Sequence, residues 1–261
     1  MKKPLIALAA LASTLTFPSF AGAQSAPAAS PLTGNFTLTS DYRFRGISQS
    51  FKLPAVQGGI DWAHDSGFYL GNWNSSISGN QYPNGASLEM DFYGGYKFEV
   101  AKDVTLDVGG IYYLYPGAYY NGFSGKPKYN NFEVYVGGAM GPFSAKLFIA
   151  VTDFFGLDTT TGGKSSSGSY YLDLNYATEI APKLTLGAHL GYQSVRNYTS
   201  NPDFSYFDYK VGVTYDMSGW MLGAAIVGTN ADKNVYFATD SKGSRENVGK
   251  TGLVLSVGKT F

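Results

Sequence analysis

Residues Leu253-Val-Leu-Ser-Val-Gly-Lys-Thr-Phe261 close the chain with a strand pattern that ends on an aromatic residue. Because successive side chains of a strand point to opposite faces, the odd-numbered residues share one face, which is apolar except for Lys259. Ser256 and Gly258 lie on the other face. An apolar outer face and a polar inner face are typical of strands in transmembrane β-barrels. Lys259 fits this pattern, because a lysine so close to a strand end can extend its ammonium to the membrane interface.

The first 23 residues predict how the chain reaches a membrane. A basic start at residues 1–3 precedes a mostly apolar run at residues 5–17 and the small-residue cleavage box Ala21-Gly22-Ala23. This is the pattern of a secretory signal peptide, and the run is shorter than the about 20 residues of a spanning helix. We predict cleavage after Ala23 and a flexible lead over residues 24–33, rich in Ala, Pro and Ser.

Composition excludes several classes of protein. The chain has 261 residues, with 33 Gly, 21 Tyr, 18 Phe and no Cys. The lack of cysteine excludes disulfides and thiolate metal sites. Lysine plus arginine equals aspartate plus glutamate at 19 each, without the basic clustering that nucleic-acid binding requires. An exported chain without a spanning helix can still be integral to a membrane if it closes a barrel.

The alternating pattern recurs along the whole mature chain. Between residues 35 and 45, for example, Phe36 and Leu38 alternate with Thr37 and Thr39. We predict about twelve strands, which cover residues 35–45, 56–64, 68–78, 88–98, 104–115, 132–136, 143–152, 170–176, 184–192, 207–215, 220–229 and 253–261. Tyr42, Phe44, Tyr112, Tyr115 and Tyr215 are expected in aromatic girdles at the lipid interfaces, and Tyr93, Tyr113 and Tyr135 in the interior.

The connections between these strands alternate between short turns and long polar loops. The short turns lie near residues 65–67, 100–103, 141–142, 180–183 and 216–219, and the long loops lie between them. Short periplasmic turns and long extracellular loops are characteristic of outer-membrane barrels. The sequence therefore predicts an all-β fold, a transmembrane antiparallel β-barrel over residues 34–261 with both termini in the periplasm. A soluble β-sandwich also has many short strands, but it would not expose so large an apolar face.

The inward parity of the strands supplies candidate pore-lining residues. In a wide pore they would contact water and bias which solutes pass, whereas in a narrow barrel they would pair and fill the interior. These candidates are Asp41, Arg43, Arg45, Asp61, Glu89, Asp91, Lys97, Asp107, Glu133, Lys146, Asp173, His189, Asp208 and Lys210. Acidic residues outnumber basic ones in this set, which favours cations.

One loop is unusually aromatic, with Tyr115, Tyr119, Tyr120 and Phe123 close together in the chain. It could fold inward as a constriction that stacks on a sugar or a nucleoside. The simpler alternative is an aromatic girdle followed by an exposed loop.

The sequence offers no convincing catalytic site. Of the two histidines, His64 lies near a predicted short turn and His189 lies mid-strand on the lumen side. A catalytic histidine needs a nucleophile or a carboxylate within hydrogen-bond reach. Gly163-Lys164-Ser165 lacks the upstream glycine of a phosphate loop, since Asp158 stands at that position. We predict no enzyme activity, no cofactor and no metal site.

The beginning of the mature chain carries a more specific motif. Ser40-Asp-Tyr-Arg-Phe-Arg-Gly46, followed by Ser48-Gln49, resembles the opening of the TorF-type family of proteobacterial porins, which are outer-membrane β-barrels. The terminal strand also resembles the last strand of such barrels, where a final phenylalanine is an assembly signal. The resemblance implies a porin-like barrel and an internal salt-bridge cluster formed by Asp41, Arg43 and Arg45.

These observations favour a porin-like channel in the bacterial outer membrane for passive diffusion of small hydrophilic solutes or ions. Its expected partners are outer-membrane lipid, the barrel-assembly machinery that reads the strand ending in Phe261, and the solutes themselves. One alternative is a closed structural or adhesive barrel whose long loops bind a partner. A second is a barrel-type hydrolase that uses His189.

Overall fold

The computed structural model describes residues 31–82, 86–120, 122–199 and 202–261. The predicted signal peptide and residues 24–30 of the predicted lead lie outside the described residues. The first strand begins at Leu32, two residues before the predicted start of the barrel at residue 34.

Twelve antiparallel strands close into one barrel, which confirms the predicted fold class. The barrel strands are β1 (Leu32–Thr39), β4 (Ala55–Ala63), β5 (Phe68–Ser76), β6 (Leu88–Ala101), β7 (Val104–Leu114), β8 (Asn131–Met140), β9 (Phe143–Ala150), β10 (Tyr170–Ala181), β11 (Leu184–Ser194), β12 (Tyr206–Met217), β13 (Trp220–Thr229) and β16 (Gly252–Thr260). Four short strands lie in the connections: β2 (Arg43–Phe44), β3 (Ile47–Ser48), β14 (Phe237–Thr239) and β15 (Arg245–Asn247). No helix in the described part of the chain is long and apolar enough to cross a membrane.

Side chains alternate between a polar interior and an apolar outer surface. Leu70, Leu190 and Leu253 point outward and are at least half exposed, whereas Gln57 and Glu133 point inward and are almost completely buried. This polarity is the reverse of that in a soluble barrel, in which the apolar face turns inward. A surface of this kind is stable when lipid surrounds it, because lipid cannot hydrate polar groups.

The connections divide the barrel into two distinct ends. The short-turn end carries residues 64–67, 102–103, 141–142, 182–183 and 218–219, and the long-loop end carries residues 40–54, 77–87, 115–130, 151–169, 195–205 and 230–251. Several short turns use left-handed backbone conformations, as at Asp103 and Lys183. The predicted alternation of short turns and long loops is therefore present, and the described chain begins and ends at the short-turn end.

The last residue closes the seam between the first and last strands. The backbone N–H of Gly34 donates to the Phe261 carbonyl at 2.7 Å, and the Phe261 N–H donates to the Gly34 carbonyl at 2.9 Å. A Cβ at position 34 would lie 2.8 Å from the Phe261 ring. The Phe261 ring therefore packs directly against the backbone of Gly34.

Arginine substitutions at two depths test the orientation of the outer face. Leu190 lies mid-strand between Leu174 and Tyr209, and Ile180 lies beside a short turn; both side chains face outward. We expect Leu190→Arg to lower the free energy of unfolding in liposomes by about 2–4 kcal/mol and Ile180→Arg by about 0–1 kcal/mol, because the cost of a charge falls toward the interface. Urea titration followed by tryptophan fluorescence measures both. Equal costs at the two positions would contradict this placement in the bilayer.

Candidate functional site: the barrel interior

The first long connection folds into the barrel. In this inserted loop, residues 40–54, the strands β2 and β3 form a small hairpin that turns at Arg45 and Gly46, both with positive φ. Such a turn suits the twist of a two-residue hairpin. Gly46 is also required for space, because a Cβ there would clash with Thr229 and lie 2.7 Å from the Asp208 Cβ. The hairpin tip therefore packs against the wall formed by β12 and β13.

This loop corrects the prediction for the first strand. The alternation between residues 35 and 45 predicted one continuous strand, but β1 ends at Thr39. Tyr42 is 2% exposed inside the barrel, and Phe44 packs edge-on against Tyr113 at 5.5 Å. Their predicted place in a lipid girdle is wrong, because an extended loop inside the lumen has the same period of two as a membrane strand.

Arg45 links the inserted loop to the opposite wall. Its guanidinium donates to both carboxylate oxygens of Glu133, at 2.5 and 3.1 Å, and to the Gln193 side-chain oxygen at 2.7 Å. The guanidinium also lies 4.3 Å from the Tyr171 ring centre and 5.4 Å from that of Phe148. Burial alone lowers the pKa of Arg45, but the attraction of Glu133 raises it above its ordinary value. Arg45 therefore makes a two-point ion pair with Glu133 and a third hydrogen bond to Gln193.

Asp41 and Arg43 hold the loop in its own shape. The Arg43 Nε donates to Asp41 at 2.6 Å, and the Ser48 and Ser50 hydroxyls donate to the other carboxylate oxygen. Arg43 also donates to the backbone carbonyls of residues 46, 248 and 250. Of the implied internal salt-bridge cluster, the structure contains the pair of Asp41 and Arg43, which stabilises a loop and its contact with residues 230–251, whereas Arg45 pairs with Glu133.

A third anchor lies under Tyr42. Its hydroxyl donates to Glu89 at 3.0 Å, and its ring packs edge-on against Trp73 at 5.4 Å. Asp91, two residues after Glu89 on the same face, is 6% exposed. Together with the Phe44 and Arg45 contacts, the inserted loop touches interior side chains of every strand from β5 to β11.

A second polar cluster lies on the wall formed by β5 to β9. Lys146 and Asp107 form a buried ion pair at 2.6 Å, and the Tyr69 hydroxyl donates to the other Asp107 oxygen at 2.6 Å. The Lys97 ammonium lies 4.7 Å from the centre of the Tyr69 ring. On the adjoining strand β4, Asp61 accepts a hydrogen bond from the Tyr93 hydroxyl.

His189 lies in the third cluster, between two carboxylates. Its Nδ1 is 3.0 Å from Asp173 and its Nε2 is 2.8 Å from Asp208, while the Tyr171 hydroxyl donates to Asp208 at 3.0 Å. Lys210 is the direct cross-strand neighbour of His189. Because both ring nitrogens contact carboxylates, neither is available to activate a nucleophile.

The predicted pore-lining residues all occur in these interior clusters, but Asp41, Arg43 and Arg45 reach them from a loop. Sequence reasoning missed Trp73, Tyr171 and Gln193, which contact the inserted loop from the wall. Their inward parity was the available signal. The set of pore-lining candidates contains only charged residues and one histidine, so it leaves these three residues out.

The aromatic loop divides into inward and outward residues. Tyr115 is 2% exposed and stacks on Tyr82 at 4.9 Å, which corrects its predicted place in a lipid girdle. The Tyr120 hydroxyl donates to the Phe155 carbonyl at 2.8 Å. Tyr119 lies beside two lysines and Phe123 is 38% exposed. Of these four residues, Tyr115 and Tyr120 pack with the buried aromatic cluster of the barrel interior.

Comparisons with known proteins agree with this architecture. A family model described as a bacterial protein of unknown function (Gcw_chp) matches residues 23–261. No curated protein is similar in sequence. Among solved structures, the KdgM porin is 12% identical over 88% of this chain and 99% of its own, with a TM-score of 0.53. The NanC porin is 10% identical over 88% and 98%, with a TM-score of 0.54. A KdgM complex with disordered oligogalacturonate is 12% identical over 88% and 98%, with a TM-score of 0.51. At these identities, the likeness shows a shared fold.

Substitutions of Arg45 test the anchoring of the inserted loop. Arg45→Ala leaves Glu133 buried without a counter-charge, so we expect the free energy of unfolding to fall by about 3–5 kcal/mol. The double variant Arg45→Ala/Glu133→Gln removes that charge and should recover part of the loss. Urea unfolding in detergent micelles measures both.

The partly exposed pair of Lys52 and Glu246 provides the matched control. Lys52→Ala in the same loop should cost at most about 1 kcal/mol, because solvent screens the pair. If Arg45→Ala were no more costly than Lys52→Ala, Arg45 would not be an anchor.

Proposed function

Since the chain belongs to the bacterial family of unknown function described as Gcw_chp, its role has to follow from the barrel itself, and we propose that it is a porin-like channel. It would sit in the outer membrane and let small hydrophilic solutes or ions diffuse down their gradients. The observation that carries this proposal is the charged, hydrogen-bonding interior of a closed barrel of twelve strands with an apolar outer face. Lumen-facing charges of this kind bias which solutes pass through a pore.

The size of the barrel supports a narrow passage. Eight-stranded barrels are filled by their own side chains, while barrels of about sixteen strands leave an open aqueous channel. Twelve strands lie between these limits, and the inserted loop takes up part of the lumen. We therefore propose that residues 40–54 form the constriction, with Arg45 at its centre.

The orientation follows from the ends of the barrel. We propose that the short-turn end faces the periplasm and that the long loops face outward, as in other outer-membrane barrels. Lys259 supports this assignment, because its ammonium lies 5.3 Å from the Trp220 ring at the short-turn end, where interfacial aromatic and basic residues are favoured. Export by a cleaved signal peptide and recognition of the strand ending in Phe261 by the assembly machinery belong to the same proposal.

The motif that resembles the opening of TorF-type porins has a role in this proposal. Residues 40–46 and 48–49 form most of the inserted loop. We propose that the motif specifies this constriction in chains of the TorF type, because its charged residues pair within the lumen and its Gly46 allows the tight hairpin.

A closed structural barrel is the second candidate, and the same loop favours it. The contacts of residues 40–54 with β5 to β11 would make such a barrel impermeable if no passage remained beside them. A hydrolase is the weakest reading, since both nitrogens of His189 contact carboxylates. Conductance separates the channel from the closed barrel.

Planar-bilayer recording of the purified, folded protein tests the channel. We expect small, discrete conductance steps from the native chain. Replacing residues 41–53 with a short Asn-Gly turn should raise the unit conductance several-fold, because it removes the constriction while β1 and β4 stay paired. Shortening the exposed segment at residues 159–164 is the matched control and should leave the conductance unchanged.

Two results would overturn parts of this proposal. A native chain that inserts but never conducts, together with a conducting loop-deletion variant, would indicate a closed barrel. Equal conductance in the native chain and the loop-deletion variant would show that residues 40–54 do not form the constriction. Heat-modifiable migration in gels confirms that each variant is folded.

A further inference from the structure

Two asparagines face outward on the apolar wall of the barrel. Asn72 is the middle residue of β5, and its neighbours in register are Ile60 on β4 and Phe92 on β6, which are 56% and 44% exposed on the outer surface. Asn74 shares this face, because the side chains of a strand alternate. The remaining amide side chains of the twelve barrel strands, all of which the structure describes, face the interior: Asn35, Gln57, Asn131, Asn175 and Gln193.

The pair lies at a depth where a polar side chain is unfavourable. Other polar residues of the outer face, such as Ser76, Ser194 and Lys259, lie at or beside the ends of their strands, where water is near. Asn72 lies four residues from either end of β5. Because hydrocarbon offers no hydrogen bonds, an amide at this depth has to find its partners in protein.

The two side chains use only part of their hydrogen-bonding capacity within the barrel. Asn72 donates one bond to the Asp91 backbone carbonyl at 3.0 Å and accepts one from the Asn74 amide at 2.7 Å. The Asn74 amide also contacts the Gly58 carbonyl at 3.4 Å, and its own oxygen accepts no bond within the described residues. Since an amide has two N–H donors and an oxygen that can accept twice, one donor and one acceptor position of Asn72 are unused in the described part of the chain.

The surface beside the pair lets another protein come close. Gly58 is the neighbour of Asn74 in register and has no side chain, whereas Val56 and Ile60 on either side of it are more than half exposed. Small residues allow close approach between proteins in a membrane, where packing and hydrogen bonds drive association. Gly58 therefore gives a partner access to the amides.

We propose that this outer face, centred on Asn72 and Asn74, is an interface with a second copy of the chain. A two-fold axis along the membrane normal brings the same strand of both copies together at the same depth, so that the surface contacts itself. The unused donor of Asn72 then bonds to the unused acceptor of its counterpart, and symmetry supplies the reverse bond.

A second copy suits this face better than other occupants do. Acyl chains cannot bond to the amides, and the outward residues of β4, β5 and β6 carry no charge that would attract a partner of opposite sign. The neutral pair offers both donors and acceptors, which an identical pair matches. The proposal requires the outer face to lie in lipid, but it does not depend on whether the lumen conducts.

Energy transfer between dye-labelled copies in liposomes measures this association. The chain has no cysteine, so Lys102→Cys in an exposed short turn takes a single dye. We expect energy transfer that falls as the protein is diluted in lipid, as for a reversible dimer. Asn72→Leu/Asn74→Leu in the labelled chain should weaken the dimer by at least about tenfold, because the hydrogen bonds between the copies are lost.

The opposite side of the barrel provides the control for this variant. Strand β11 lies six strands away from β5 around the ring, and Leu186→Ile/Leu190→Ile on its outer face should leave the energy transfer unchanged. Heat-modifiable migration confirms that each variant is folded.

Oxidative cross-linking locates the interface without altering either asparagine. Ser76 and Ser194 are matched positions, because each is the last residue of its strand, on β5 and on β11. Ser76→Cys should form a disulfide-linked dimer in liposomes, and Ser194→Cys should not.

Three results would overturn the interface: a native chain that stays monomeric at every ratio of protein to lipid, an asparagine double variant that associates as tightly as the native chain, or equal cross-linking at the two serine positions. Each of these results leaves the channel proposal intact, since planar-bilayer recording tests conductance separately.

Discussion

The structure depends on one constraint: a chain surrounded by lipid must pair every backbone N–H and C=O group within itself. A closed antiparallel barrel satisfies this requirement, since each strand is bonded on both sides and no edge remains. The ring is completed only where β1 meets β16, with the final pair of hydrogen bonds between Gly34 and Phe261. The same constraint reverses the usual polarity of a protein, so the charged side chains have to lie inside.

That reversal places charged side chains in a narrow lumen, where acidic and basic groups pair with one another. An isolated charge in a narrow lumen is costly, and a buried ion pair is stable only if hydrogen bonds satisfy its remaining atoms. Arg45 with Glu133 and Gln193, Lys146 with Asp107, and His189 with Asp173 and Asp208 are buried pairs of this kind. Glu89 and Asp91 differ, because each has one buried carboxylate oxygen without a hydrogen bond. The barrel wall and the inserted loop each supply part of these networks. The inserted loop is therefore held in the lumen by polar contacts, with aromatic rings packed between them.

The sequence predicted the barrel well because its signals are local. Alternation along each strand, turn residues at one end and polar loops at the other all lie within a few residues of one another. The inserted loop was not predicted, because the residues that hold it in place are far from it in the sequence. Arg45 and Glu133, for example, lie 88 residues apart. Tyr42 and Phe44 continue the alternation of β1. A period of two in the sequence does not show whether the apolar side chains face lipid or a packed lumen. The charged candidates were found by parity, while their pairing required the closed barrel to bring strands together.

The inserted loop also has a consequence for how the protein folds. Tyr42 of this loop contacts Trp73, and Gly46 lies against Thr229; both partners belong to barrel strands that come later in the chain. Contacts this far apart in sequence carry a large loop-closure cost and form late. The barrel wall must be largely assembled before residues 40–54 have a surface on which to dock. The loop precedes eleven of the twelve barrel strands in the chain, yet it has a complete docking surface only when the strands that it contacts have come together.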